Sequence, residues 1–437
     1  MSDLVVTGGE VLRSEGWSIC DVIIRSGRIV LAASNVCEDG VPLDGVDGVT
    51  EERGTGGAGA ARGLLAVTVE DDTVPAARDH LLAAGDEIRE LDATGLRVVP
   101  GFIDLQCNGG YGIDLTAEPE RLWELAAALP RTGVTAWLPT IVSSPADWRR
   151  RALAALRSPP APDGGVVATP LGVHFEGPFL APQRRAAHPE TALRRPDGPD
   201  AAEAHGWSRA AGVALVTLAP ELPGSVDLIR RLVDQGVVVA AGHSAATAAL
   251  ATAAVDAGVR WVTHLFNAMA PLHHREPGLV GVALTDERVC VGLIADGIHL
   301  HPTTVKLAAR ALGDRLTLVT DAVAALGRPH GPTQLGLHDA VAGDDGVRMA
   351  DGRLAGSTLS LDQAVRNLVA WADVDLAAAV AAATSVPAAV LGLDDRGVIA
   401  PGTVGDLVLL DGDGRVVATV IGGRVAYDRR RADTPRP

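Results

Sequence analysis

From Leu96 onward, apolar runs of strand length alternate with helical stretches, and this rhythm limits the fold more than any other feature of the chain. The strand candidates are 98–105, 134–138, 170–175, 213–218, 237–241, 261–265, 289–294 and 316–320. Between them lie helical patterns such as 121–128, 146–156, 226–235, 245–257 and 303–312. Near-continuous apolar strands mean burial on both faces, and strand and helix in eightfold alternation predict a (β/α)8 barrel of the TIM type over residues 96–393. A chain of 437 residues exceeds one such barrel, so an appendage is required.

Both ends of the chain supply it. Residues 3–33 read as short strands, with Ser26-Gly27 as a hairpin turn between two apolar runs. After residue 398 the chain returns to short strands at 406–410, 416–421 and 424–427, punctuated by Gly412 and Gly422-Gly423. The expectation is a small β-sandwich domain built from residues 1–95 and 394–437. Within it, residues 38–63 interleave glycines with Asp and Glu, a composition too polar to offset its own ordering entropy. This reads as a mobile insertion reaching to about residue 85, with a strand candidate at 64–69. The closing Arg429-Arg430-Arg431 reads as a solvated tail.

Composition excludes several classes. A formal charge of −16 argues against a nucleic-acid partner, although local cations can still hold a small anion. Cys20, Cys37, Cys107 and Cys290 are scattered without a CxxC pair, which fits a reducing compartment. No signal peptide or membrane span is expected, so the protein is read as cytoplasmic.

Chemistry in such a barrel gathers at the carboxyl ends of the strands. The third strand ends at Glu176, stopped by Gly177-Pro178. The first ends Asp104-Leu105-Gln106-Cys107-Asn108, the fifth Gly242-His243-Ser244, and the sixth Thr263-His264-Leu265-Phe266-Asn267. The seventh ends Ala295-Asp296-Gly297-Ile298-His299 and the eighth Thr320-Asp321-Ala322. A single histidine after an apolar run is commonly a hydrogen-bonded core residue; six polar strand ends sharing one rim are harder to read that way. Glu176, His243 and His264 make a one-carboxylate, two-imidazole set of the kind that holds catalytic zinc, and iron or cobalt would also fit. Asp321 beside such a site can take a proton from water and deliver it to a leaving nitrogen.

These stretches carry a resemblance. Pro100-Gly101-Phe102-Ile103-Asp104, His174-Phe175-Glu176-Gly177-Pro178-Phe179, Gly242-His243-Ser244 and Thr263-His264-Leu265-Phe266-Asn267-Ala268-Met269 resemble the N-acetylglucosamine-6-phosphate deacetylases, a branch of the amidohydrolase superfamily. Arg275-Glu276-Pro277-Gly278, Ala295-Asp296-Gly297-Ile298-His299, Thr320-Asp321-Ala322 and Leu354-Ala355-Gly356-Ser357 extend the likeness, in the expected order, over about residues 96–428. The resemblance implies one divalent metal on Glu176, His243 and His264, with Asp321 as general base and acid. It implies that Asn267, the Ala268 backbone, Arg275 and His299 hold a sugar phosphate, with Asp296 beside them. Ala187 and His188 would contact the sugar or its acetamido carbonyl, and the backbone of Leu354, Ala355 and Gly356 would line the sugar. A homodimer is implied too, with Arg275 as the residue that crosses to the other subunit's phosphate site.

Many members of the superfamily carry His-x-His after the first strand, where this chain has Gln106-Cys107-Asn108. Amide side chains are poor zinc ligands, so one metal is expected, with Gln106 and Asn108 orienting water or neighbouring ligands and Cys107 packing. The expected reaction is hydrolysis of N-acetyl-D-glucosamine 6-phosphate to glucosamine 6-phosphate and acetate, with the N-acetylgalactosamine 6-phosphate as the alternative substrate. A cyclic amidohydrolase with a carboxylated lysine between two metals is disfavoured, because the chain's one lysine is Lys306, far from the fourth strand end. A dead scaffold would have lost a ligand or the base.

Overall fold

The computed structural model describes residues 3–34, 88–159 and 165–432. The expected insertion at 38–85, with its strand at 64–69, lies outside these residues. The barrel strands are β1 (Phe102–Cys107), β2 (Val134–Val142), β3 (Val173–Glu176), β4 (Val213–Leu218), β5 (Val238–Ala241), β6 (Trp261–Val262), β7 (Cys290–Leu293) and β8 (Leu316–Leu318). Each pairs in parallel with the next, in sequence order. Closure is made just past β8: Ala322 bridges Cys107 in parallel, and the Asp321 amide donates to the Gln106 carbonyl at 2.8 Å. The barrel therefore closes through the residues expected at its mouth. Its interior is apolar and large, with Phe102, Trp137, Phe175 and Trp261 fully buried.

The run expected as one strand over 98–105 is two. Arg97–Pro100 belongs to the small sheet, and only Phe102–Cys107 enters the barrel. Gly101 is the joint: a Cβ there would stand 2.1 Å from Thr135 Oγ1, so the chain passes between the two layers only without a side chain. Periodicity cannot see this break, because both halves are equally apolar.

Strands from both termini form one eight-stranded sheet. Its order is Arg424–Asp428, Val416–Ile421, Leu407–Leu410, Arg97–Pro100, Asp3–Arg13, Gly16–Arg25, Arg28–Ser34, with Ile88–Asp92 also pairing to Asp3–Arg13. Its own core contains Leu4, Val22, Ile24, Leu407, Leu409 and Val420. Ser26 and Gly27 turn the hairpin with φ of 49° and 82°, both left-handed as a two-residue turn needs. The terminal arginines form a short helix whose ion pairs run to Asp411 and Asp428, so the tail is tied back to the sheet.

A three-stranded antiparallel hairpin sheet, Gly331–Leu335, His338–Gly343 and Gly346–Met349, follows β8 and was not evident from periodicity. Its strands alternate buried and exposed positions. Leu335, Ala340, Ala342 and Val347 pack with Val142, Ala187, Val323 and Ala355, which seats the hairpin on the barrel mouth. Buried Asp114 pins its turn by accepting the Gly336 amide at 2.5 Å. Among the described residues no helix is long and apolar enough to cross a membrane.

Candidate metal-dependent active site

The strand tips converge. Glu176 Oε1 stands 3.0 Å from His243 Nε2 and 2.9 Å from His264 Nε2, and the two imidazole nitrogens are 3.1 Å apart. All three side chains are buried. Backbone geometry aims them: His243 and His264 have φ of 49° and 27°, and Asp321 has 48°. Such left-handed conformations are rare for residues with side chains and persist only where surrounding structure imposes them. Each turns a strand tip inward over the mouth. Gly177, at φ 88°, is required after Glu176, since a Cβ would lie 2.3 Å from Ser143 Oγ.

The donor set fits a cation. His243 Nδ1 lies 3.0 Å from the Arg184 carbonyl, so Nδ1 carries the proton and Nε2 presents a lone pair. That lone pair faces a carboxylate oxygen and a second imidazole nitrogen. Converging buried acceptors repel unless a positive charge lies among them, and a divalent ion on two imidazoles and one carboxylate answers that need. A His188 ligand atom also comes within 4.8 Å of those of Glu176 and His243. His188 Nε2 stands 3.7 Å from Glu176 Oε2, farther than His264 Nε2 does from Oε1, and its ring is held by other partners.

Those partners fix the His188 tautomer. The Ser143 backbone N–H donates to His188 Nδ1 at 3.1 Å, and Ser143 Oγ lies 2.8 Å from the same atom. A backbone amide can only donate, so neutral His188 carries its proton on Nε2, the nitrogen that lies 3.7 Å from Glu176 Oε2. Burial, then the neighbouring His243, pushes the His188 pKa down to about 3, so the ring is a neutral donor.

Gln106 and Asn108 act together. Gln106 Nε2 donates to Glu176 Oε1 at 3.0 Å and to Asp321 Oδ1 at 3.2 Å, and Asn108 Nδ2 donates to Asp321 Oδ1 at 2.7 Å. Their amide oxygens, Gln106 Oε1 and Asn108 Oδ1, are buried with no partner among the described residues, as is His264 Nδ1. Burial, then the Glu176 charge, raises the Asp321 pKa to about 6. Cys107 is buried in the barrel core, as expected.

A cavity of about 260 Å3 opens over these groups. Asn108, Glu176, His188, His243, His264 and Asp321 line it together with Ala187, Asn267, Ala268, His299, Leu354 and Gly356. Asp296 sits behind His299, pairing with its Nδ1 at 2.7 Å and accepting the His299 amide, so the ring's Nε2 is left for the cavity. Ala355 is buried in the hairpin's apolar cluster. Arg275 does not line this cavity; it is exposed, with Nη1 2.9 Å from His274 Nε2. Arg353, which sequence reasoning missed, does line it. Its only signal was adjacency to Leu354-Ala355-Gly356. His174, despite its place in the Glu176 stretch, is a core residue bonded to Thr217 Oγ1 at 2.8 Å and to the Leu105 carbonyl at 3.1 Å.

Comparisons with known proteins give the family. The amidohydrolase family profile matches residues 97–426. The N-acetylglucosamine-6-phosphate deacetylase of Bos taurus is 38% identical over 356 residues, spanning 78% of this chain and 86% of that protein. The N-acetylgalactosamine-6-phosphate deacetylase of Escherichia coli O157:H7 is 40% identical over 329 residues, spanning 75% and 87%. Among solved structures, a variant of the Mycobacterium smegmatis N-acetyl-D-glucosamine-6-phosphate deacetylase in complex with N-acetyl-D-glucosamine-6-phosphate aligns with a TM-score of 0.77 and 31% identity, covering 98% of this chain and 100% of that one.

Proposed function

The chain belongs to the amidohydrolase family, and we propose that it hydrolyses the acetamide of N-acetyl-D-glucosamine 6-phosphate to acetate and glucosamine 6-phosphate. The observation that carries this reading is the meeting of Glu176, His243 and His264 within 3.1 Å of one another, with Asp321 bridged to Glu176 by Gln106. Identities of 38 and 40% to deacetylases of two amino-sugar 6-phosphates support the substrate class, and the gluco sugar is favoured by the relatives bearing that name.

Family membership implies a divalent metal, and zinc suits two imidazoles and one carboxylate best. Held there, it supplies a Lewis acid that acidifies water and polarises a carbonyl oxygen. The chain's own residues do the rest. Asp321 takes a proton from the attacking water and returns it to the departing nitrogen as the C–N bond breaks. His188 donates its Nε2–H to the acetamide oxygen as negative charge develops there. Gln106 and Asn108 hold Asp321 in place. Asn267, the Ala268 backbone and His299 line the cavity and receive the sugar phosphate, with Leu354 and Gly356 along the sugar.

Acetate release tests this. The 6-phosphate of N-acetylglucosamine should exceed the unphosphorylated sugar in kcat/KM by roughly 100-fold or more, the worth of two charge-assisted bonds. Equal rates on both would remove the phosphate roles of Asn267 and His299. The galacto 6-phosphate, run alongside, ranks the two sugars.

A homodimer is part of the proposal: exposed Arg275 does not line its own chain's cavity, and in a dimer its guanidinium would serve the phosphate site of the other subunit. Mixing the inactive variants Arg275→Met and Asp321→Asn should then restore activity in hybrids that hold one intact site. Mixtures as inactive as their parents would confine Arg275 to its own loop. A reducing, cytoplasmic setting suits the unpaired Cys20, Cys107 and Cys290.

A further inference from the structure

Arg353 joins the hairpin to the loop that bears His188. Its Nε and Nη2 grip Asp351 Oδ2 at 2.7 and 2.5 Å, and its Nη1 donates to the Ala186 carbonyl across 167 residues of sequence. Ala186 is a non-glycine residue at φ 49°, a conformation that needs outside support. The next residue, Ala187, packs in the apolar cluster with Leu335, Ala340, Val347 and Ala355 of the hairpin region. His188 follows, with its amide bonded to the Arg185 carbonyl at 2.9 Å and its ring held by Ser143. Ser143 fixes the ring from the end of β2, and the hairpin fixes the backbone from the other side.

We infer that Arg353 is a positioning residue for the deacetylation: its bond to Ala186 seats the 186–188 segment so that the His188 Nε2–H faces the acetamide oxygen. This rests on the reading of the site given above. The rival role is an anchor for the sugar phosphate, since Arg353 lines the cavity and two of its five N–H groups have no partner among the described residues. Topology speaks against that. Arg353 grips the loop after β3, whereas Asn267 and His299 follow β6 and β7, across the barrel. A guanidinium on the β3 side serves the acetamide end of the substrate.

The two roles separate in kinetics. Arg353→Met should lower kcat by roughly 100-fold, as an ångström of misplacement does, with KM for the sugar phosphate held within about threefold. The unphosphorylated sugar should lose kcat/KM by the same factor. Adding Arg353→Met to His188→Ala should cost nothing further, because the arginine acts through that histidine. Arg353→Lys, which keeps one donor for Ala186, should recover part of the rate. Asp351→Asn loosens the guanidinium and should give the same signature at smaller amplitude, should the methionine variant not fold. A raised KM confined to the phosphorylated sugar, multiplying losses in the double variant, or unchanged kcat would each overturn the positioning role. Wild-type protein that releases acetate from no N-acetyl sugar would instead bring down the reading of the site, and the positioning role with it.

Discussion

Replacing Asp321 by Asn will stop turnover while leaving the metal bound. The substitution keeps the shape of the side chain and removes its capacity to take a proton. The amide oxygen can still accept from Asn108 Nδ2, which lies 2.7 Å from Oδ1 in the native chain. The backbone is equally secure: the Asp321 amide donates to Gln106 and its carbonyl accepts from Ser357 at 2.9 Å, and neither bond involves the side chain. Loss of a general acid and base costs about 10^2- to 10^4-fold, and here one group serves both steps, so the upper end is expected. Metal content should stay at the native level, since none of Glu176, His243 and His264 is altered. Turnover near the native rate would remove Asp321 from the mechanism. The native pH profile offers a second check. Burial and the Glu176 charge raise the Asp321 pKa to about 6, and a cation on Glu176 would favour its carboxylate and draw it back down. The base form is lost as pH falls, so the acid limb of kcat/KM should lie below about pH 6. A limb above pH 7 would point to another base.

How much of this was legible in sequence depends on what kind of order each feature has. The barrel was, because eight buried parallel strands leave eight apolar runs, and because the candidate metal ligands and base lie at or just past the ends of their strands. Glu176, His243, His264 and Asp321 could be named for that reason, and they meet. What sequence could not give was the joint at Gly101, since strands on either side of it are equally apolar. It also missed the hairpin at 331–349, whose alternation is polar and broken by turns. Missing the hairpin meant missing Arg353, whose importance lies in a contact with Ala186 that no local pattern encodes. The Ala355 side chain packs under the hairpin, with Leu354 and Gly356 on either side lining the cavity. Left-handed φ at His243, His264 and Asp321 is likewise invisible in sequence, because surrounding structure and not residue type imposes it.

Removing Glu176 should be as damaging as removing the base, by a different route. Glu176→Ala deletes a carboxylate that touches the imidazoles of both His243 and His264 and is also bonded to Gln106. Two neutral imidazoles alone hold a divalent ion weakly, so the variant should be purified without metal and without activity, a loss expected to exceed about 10^3-fold. Chelation of the native protein should give the same inactive state, reversed by added zinc, and should lower the melting temperature, because a ligand that binds only the folded chain stabilises it. Stoichiometry carries the sharper test. Gln106 and Asn108 both direct their amide hydrogens at carboxylates, Gln106 at Glu176 and Asp321, Asn108 at Asp321. A second cation would have to displace those hydrogens and bind amide oxygens in their stead. Metal analysis of the active protein should therefore find one equivalent per chain. Two equivalents, or full activity in chelated protein, would show that the cluster at the barrel mouth does not work as a single-metal centre.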